Sequence, residues 1–395
     1  MKRFSLLFFL FLFSVFLVFS ADFGLLAENR FDWENDTLTY SPGLTPWVSW
    51  NKNQNFSAYL SAGLSMKYTM TDNENNGNDG FTKPLLLFEL YRFSFTFFGQ
   101  NSSLEGGRLL YTDTLGMTAS GLFDGARIRK SFSRGALHAG LLYSGFQYRE
   151  TAKITMTGSD FFEFSKPYET PENYFASRRL LAFGRWDMPF LEFHNFTFEA
   201  LLQFDCNGSE EILHSQYFAL QTEFFANRMS FAIGAVAETM ENGEDDFFLA
   251  FGARMALRME VPGSLNDSLK LTSKFSSGPW NETLAVFTPV TSVPQGQIFS
   301  GAISGVWVNR LNYDVKIANS LFMESSFSYF IRTFTPPEES GFLYGGELNA
   351  SLSWQPLEDI RFYAGGGIFF PELGDIYPSG AEPMWKVHAG FYLSF

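Results

Sequence analysis

The strongest constraint in this chain is an alternation of period two that recurs along its length. At the C-terminus, Trp385, Val387, Ala389, Phe391, Leu393 and Phe395 alternate with Lys386, His388, Gly390, Tyr392 and Ser394. A strand turns successive side chains to opposite faces, so one face here is wholly apolar and the other polar or small. The same pattern sets Phe56, Ala58, Leu60, Ala62, Leu64, Met66 and Tyr68 against Ser57, Tyr59, Ser61, Gly63, Ser65, Lys67 and Thr69. It returns in 196–205, 247–260, 307–317 and 347–354. These runs exceed the ~5–6 residues of ordinary strands. They suit tilted strands of ~9–11 residues or more that cross a bilayer. In hydrocarbon an unpaired strand edge costs several kcal/mol per group, so such a sheet must join its own ends. The expected fold is all-β, a transmembrane antiparallel β-barrel of about 16 strands, with about 14 to 18 admissible.

Composition agrees. The chain carries 49 Phe and 16 Tyr with only 18% charged residues, yet its mean hydropathy is -0.05, so apolar residues are spread thinly rather than gathered into spans. The exception is the N-terminus, where Lys2 and Arg3 precede an apolar run from Phe4 to Phe19. That run falls short of the ~20 residues of a membrane-spanning helix and reads as a secretory signal peptide cleaved near Ser20 and Ala21. The organisation expected is a leader over 1–20 and a barrel over 21–395. The lone cysteine, Cys206, excludes an intramolecular disulfide and any multi-cysteine metal site.

The alternation places strands at 41–50, 55–70, 83–98, 121–132, 137–150, 174–190, 194–206, 215–228, 229–241, 245–261, 268–278, 299–317, 323–334, 343–357, 359–371 and 384–395. Counting back from Phe395, short connections at 356–359, 319–322, 262–267, 227–228, 191–194 and 133–136 fall on one side, read as periplasmic. Longer ones at 99–120, 151–173, 207–214, 279–297, 335–342 and 372–383 fall on the other, with 242–244 a short exception. The segment 71–82 (TDNENNGNDGFT) breaks the rule, being long yet on the short-turn side.

Charge is partitioned. The net charge is -14, the wrong sign for a nucleic-acid binder. The acidic residues crowd into connections, for example Glu210, Glu211, Glu244, Asp245, Asp246, Glu338 and Glu339. Strand positions facing inward by the alternation lean basic: Arg127, Arg129, Arg179, Arg185, Arg254, Arg258, Arg310, Lys316, Arg332 and Arg361 are the pore-lining candidates. A low-dielectric wall focuses the field of such charges, and rings of Arg and Lys favour anions. The alternative is a neutral lumen in which facing carboxylates, such as Glu199, Glu238 and Glu347, pair the cations off.

The stretch 104–129, with turn-forming Gly106, Gly107, Gly116, Gly121 and Gly125, reads as a long loop carrying Glu105, Arg108, Asp113 and Asp124. Folded into the lumen it forms a constriction, and left outside it is an exposed loop. Gly365–Gly367 lie inside a strand pattern, where a bend fits better than a phosphate cradle. His138, His194, His214 and His388 show no metal-ligand spacing, and no G-x-S-x-G elbow occurs. No catalytic residue, cofactor or metal is therefore expected.

The terminal run from Trp385 to Phe395 resembles the last strand of Gram-negative outer-membrane proteins. The resemblance implies an outer-membrane location, contact with its lipid, and assembly by the barrel-assembly machinery, with Phe391, Leu393 and Phe395 as the signal it reads. Within that class, the Gly-rich segment Gly106–Arg129 with its basic flanks resembles alginate-export and related porin-like barrels over about 25 residues. Long-chain fatty-acid transporters carry a plug before the first strand, and the short segment preceding position 41 does not match one. The function expected is a porin-like channel for passive passage of small hydrophilic, anionic solutes. The alternatives are a surface-exposed structural or adhesive barrel, for which the connections are short, and a transporter of hydrophobic substrates.

Overall fold

The computed structural model describes residues 21–395 apart from 53–54, 72–79, 82–84, 167–170, 192, 209–210, 244–245, 264, 281–283 and 337–339, so the leader read over 1–20 lies outside the described residues. Eighteen long strands follow one another around a closed antiparallel sheet. They are β1 (Ala21–Glu34), β2 (Thr37–Lys52), β3 (Phe56–Thr71), β4 (Leu85–Phe98), β5 (Ser102–Thr112) and β6 (Ser120–Phe132). Next come β7 (Gly135–Tyr143), β8 (Arg179–Leu191), β9 (His194–Asp205), β10 (Leu213–Ala226), β11 (Met229–Asn242) and β12 (Phe247–Glu260). The last are β13 (Ser268–Ser276), β14 (Val306–Ala318), β15 (Leu321–Arg332), β16 (Leu343–Leu357), β17 (Ile360–Phe370) and β18 (Met384–Ser394). A two-residue piece, Gly80–Phe81, pairs with Thr71 and Met70 and prolongs the line of β4.

Closure is made by β1 against β18, in register from Leu26 opposite Ser394 to Glu34 opposite Lys386. The terminal residue belongs to this seam: the Phe395 N–H donates to the Leu25 carbonyl at 2.9 Å, and the Leu25 N–H donates to the Phe395 carbonyl at 3.0 Å. The outer surface is the apolar face that the alternation marks. Leu60, Leu64, Phe198, Leu220, Leu348 and Leu352 are exposed there, while Ser61, Gln203, Ser328 and Asn349 of the other face are buried.

The eighteen strands stand at the top of the expected range of about 14 to 18, and the two that the alternation did not reveal, β1 and β5, have physical reasons. In β1 the alternation is interrupted at Asn29, whose side chain accepts the Tyr40 hydroxyl at 2.7 Å. Strand β2, read over 41–50, begins earlier, at Thr37, and its Pro42 and Pro46 stand outside the pairing with β3. Strand β5 was hidden by Gly106–Gly107. Gly107 has φ +121, and a Cβ there would sit 2.2 Å from the Phe93 carbonyl. The pair therefore marks a close approach of two wall strands and not a loop. With β1 and β5 in place, both chain termini and all eight connections no longer than seven residues on their side share one end, the inner end. The segment 72–84 moves to the outer end with the other long connections, which removes the anomaly.

A side chain at Gly107 must break the β4–β5 approach. Gly107→Val should cost at least about 2 kcal/mol through the left-handed strain alone. The check is the heat-modifiable gel mobility of refolded protein, which should show a smaller closed-barrel fraction than the parent protein.

Candidate functional site: a lumen narrowed by inward-folded loops

Three outer connections turn back into the barrel: 113–119 and the described parts of 144–178 and 277–305. Their apolar residues are buried: Leu115, Met117 and Ala119 in the first, Ile154 and Met156 in the second, Phe287, Val290, Phe299 and Ile303 in the third. They pack against inward wall residues that are themselves apolar, including Leu109, Phe123, Tyr217, Val236, Phe330 and Phe369. The wall is shaped to receive them. A Cβ on Gly234 of β11 would lie 2.4 Å from Leu115. Phe299 stacks on Phe330 with ring centroids 4.2 Å apart. The outer half of the lumen thus holds a hydrophobic core of its own.

Loop backbone inside a barrel needs hydrogen-bond partners, and wall carboxylates supply many of them. Glu199 of β9 accepts the Thr114 N–H at 2.6 Å and the Tyr111 hydroxyl at 2.9 Å. Glu238 of β11, fully buried, accepts the Thr288 N–H at 2.8 Å, while the neighbouring Tyr217 hydroxyl donates to the Thr288 carbonyl at 2.6 Å. Glu347 of β16, also fully buried, accepts the N–H groups of Gln297, Ile298 and Phe299 at 2.7, 3.2 and 2.8 Å. Cations hold the carbonyls: Lys274 donates to Gly116 at 3.0 Å, and Arg310 donates to Gln295 and to the Ser328 hydroxyl at 2.8 Å.

Within loop 113–119, Asp113 gathers the N–H groups of Leu115, Met117, Thr118 and Ala119 at 2.9–3.1 Å. Burial pushes its carboxyl above the ordinary range, and those four donors pull the other way. In the second loop, the short helices α1 (Arg149–Ala152) and α2 (Gly158–Ser165) are docked by buried side chains. Thr157 and Asp160 form a reciprocal cap on α2. Arg179 of β8 bridges Asp160 and Asp205.

The predicted pore-lining residues separate into groups. Arg179 is fully buried on the inward row of β8 with Leu181 and Phe183, covered by α2 through Asp160. Arg127 pairs with Glu105 at 2.6 Å, Arg185 lies 3.3 Å from Asp187, and Arg361 donates to Ser353 at 2.8 Å. Arg332 lies over the Tyr344 ring and Lys316 over the Phe322 ring. Arg254 and Arg258 have a different setting. They sit directly opposite Lys274 and Lys270 on β13. Arg129 stands in line with His138 and Arg185 across β6–β8.

The constriction candidates need correction, because the glycines that suggested one long loop belong to two strands. Glu105 and Arg108 lie in β5 and Asp124 in β6. Only Asp113 is in the inward loop. The sequence reading placed Glu199, Glu238 and Glu347 on the inner face but missed their role as loop clamps. The one available signal was an apolar cluster, Ala285–Phe287 and Val290, in a connection that should have been polar.

Recesses remain beside the inward loops among the described residues. One of about 1050 Å³ is bordered by Arg30, Asp32, Glu34, Lys67, Glu150 and Lys386 toward the outer end. Another of about 390 Å³ is bordered by Arg258, Asp314, Lys316, Glu324 and Arg361 toward the inner end.

A closed barrel with an apolar exterior and a polar, loop-narrowed interior defines the transmembrane β-barrel class. No family model and no curated protein matches the sequence. Solved structures do match the fold. Pseudomonas aeruginosa OccK5 (OpdH) is similar with a TM-score of 0.64 at 10% identity, covering 95% of this chain and 98% of that one. OccK7 (OpdD) of the same organism gives 0.62 at 13% identity over 95% and 99%. OpdK, solved with vanillate, gives 0.60 at 11% identity over 95% and 98%.

Removing one clamp should loosen the plug without opening the wall. Glu347→Ala leaves three N–H groups without their acceptor, and the buried one, that of Phe299, costs about 1–3 kcal/mol. Single-channel conductance should rise and become noisier, while heat-modifiable mobility stays that of a closed barrel.

Proposed function

We propose that this protein is an outer-membrane channel for small hydrophilic solutes, with a preference for anions. The observation that carries the reading is the pairing of β12 with β13. Arg254 faces Lys274 and Arg258 faces Lys270 as direct cross-strand neighbours. Like charges directly opposite destabilise a sheet, and Arg254, Arg258 and Lys270 make no ion pair among the described residues. A row of cations held at such a cost on the lumen side is explained by what passes it. The likeness to a barrel solved with vanillate, itself an anion, agrees with this.

The outer-membrane location rests on the apolar exterior, the leader read over 1–20 and the terminal strand, in which Phe391, Leu393 and Phe395 would be read by the barrel-assembly machinery. An adhesive role fits less well, because long outer connections are folded into the lumen instead of projecting from it.

The test is the reversal potential of the mature protein in a planar bilayer under a KCl gradient. Chloride selectivity is expected. Arg258→Glu combined with Lys270→Glu should lower the chloride-to-potassium permeability ratio roughly ten-fold, the low end of field focusing by a charged wall. Cation selectivity of the parent protein would overturn the anion preference.

A further inference from the structure

The barrel wall is incomplete on one side. Strands β4 and β5 pair only from Ser94 opposite Gly107 to Phe98 opposite Ser103. Outward of that point, Leu85–Phe93 and Arg108–Thr112 face one another without a ladder, although each pairs with its other neighbour, the first with a bulge at Tyr91. A gap in this place opens toward the bilayer, since Leu86, Phe88 and Leu110 beside it are exposed on the apolar outer surface.

The gap is filled by described parts of loop 144–178, namely 144–166 and 173–178, acting as a wall panel. Tyr148 and Phe175 bridge the two arms of the panel, and Phe146 and Phe175 are exposed. The panel is fastened at few points. The Tyr174 hydroxyl donates to the Phe88 carbonyl at 2.7 Å. Arg108 donates to the Leu90 carbonyl on one edge and to the Phe146 carbonyl of the panel at 2.9 Å. A bidentate pair with Asp124, at 2.8 Å on both arms, holds the guanidinium. Arg108 and Asp124 are direct cross-strand neighbours on the row that carries exposed Leu104, Leu110 and Ile128. They therefore sit on the membrane side of the wall, yet Arg108 is only 4% exposed because the panel covers it. An ion pair in that position is out of place as ordinary wall and suits a latch. On the lumen side, Glu105 lies between Arg127 at 2.6 Å and Arg92 at 3.8 Å, and Glu89 meets Thr151 of the panel.

We propose that this seam is a lateral portal, latched by Arg108 and Asp124, through which a single-tailed amphiphile moves between the outer leaflet and the lumen. The tail follows the apolar side of the gap along Phe88, Leu110 and Phe146, and the head group enters among Arg92, Glu105 and Arg127. The portal is a second route beside the axial channel, and each is read separately.

The test uses full-length mature protein in vesicles with Cys206→Ser as background and Leu90→Cys with Phe146→Cys bridged by a short, reducible bis-methanethiosulfonate reagent. The probe is a fluorescent dodecyl sulfonate, whose permanent charge slows spontaneous crossing. Bridging should slow protein-dependent probe transfer at least about ten-fold, reduction should restore it, and KCl conductance should stay unchanged throughout. Arg108→Gln with Asp124→Asn should speed transfer, provided heat-modifiable mobility shows a closed barrel. Probe transfer no faster than in protein-free vesicles, or unaffected by bridging, would overturn the portal. Equal loss of probe transfer and conductance on bridging would also overturn it, by placing the panel in the axial path.

Discussion

An N–H or C=O group in hydrocarbon has no water to bond, and leaving it unpaired costs several kcal/mol. The architecture of this chain is arranged around that cost. The ladder runs through all eighteen strands and closes where Phe395 bonds Leu25, so the last residue completes the circuit of backbone bonds. Where the ladder fails, between β4 and β5, donors arrive from elsewhere: the Tyr174 hydroxyl and the Arg108 guanidinium take the places of missing strand partners at Phe88 and Leu90.

The same demand operates inside the barrel, on loop backbone. Loops 113–119 and 277–305 enter the lumen with N–H groups exposed, and Glu199, Glu238 and Glu347 accept them from the wall. On the wall, Arg254 and Arg258 of β12 have Lys274 and Lys270 opposite them on β13 and Gly234 and Ser230 on β11, so no carboxylate stands beside them in the ladder. The proposed anion preference rests on this basic strip, and the loop anchoring on the carboxylates of other strands.

How far the sequence revealed this depends on how strictly each strand keeps its alternation. β3 and β18 were plain because their outward positions are apolar without interruption. β1 was obscured by Asn29, which is tolerated because Tyr40 bonds it, whereas β2 was legible from position 41 although Pro42 and Pro46 stand outside its pairing with β3. β5 was lost because glycine signals a turn by propensity, whereas at Gly107 it permits the close passage of Phe93. For the site, the inward cations were legible as a face. Their partners were not, since pairing depends on register across strands distant in sequence. The destination of a loop is written in which wall position lacks a side chain, as Gly234 does beneath Leu115, and one sequence read along its length does not show that juxtaposition.

The central claim is that wall carboxylates hold the loops inside the barrel. Native-state hydrogen exchange of the folded protein in detergent, read by mass spectrometry on peptides covering 113–119 and 285–300, tests it most directly. The account requires the amides of Thr114, Thr288 and Gln297–Phe299 to be protected to the level of neighbouring wall strands. Exchange of these amides at the rate of an unstructured peptide, with the strands still protected, would contradict it.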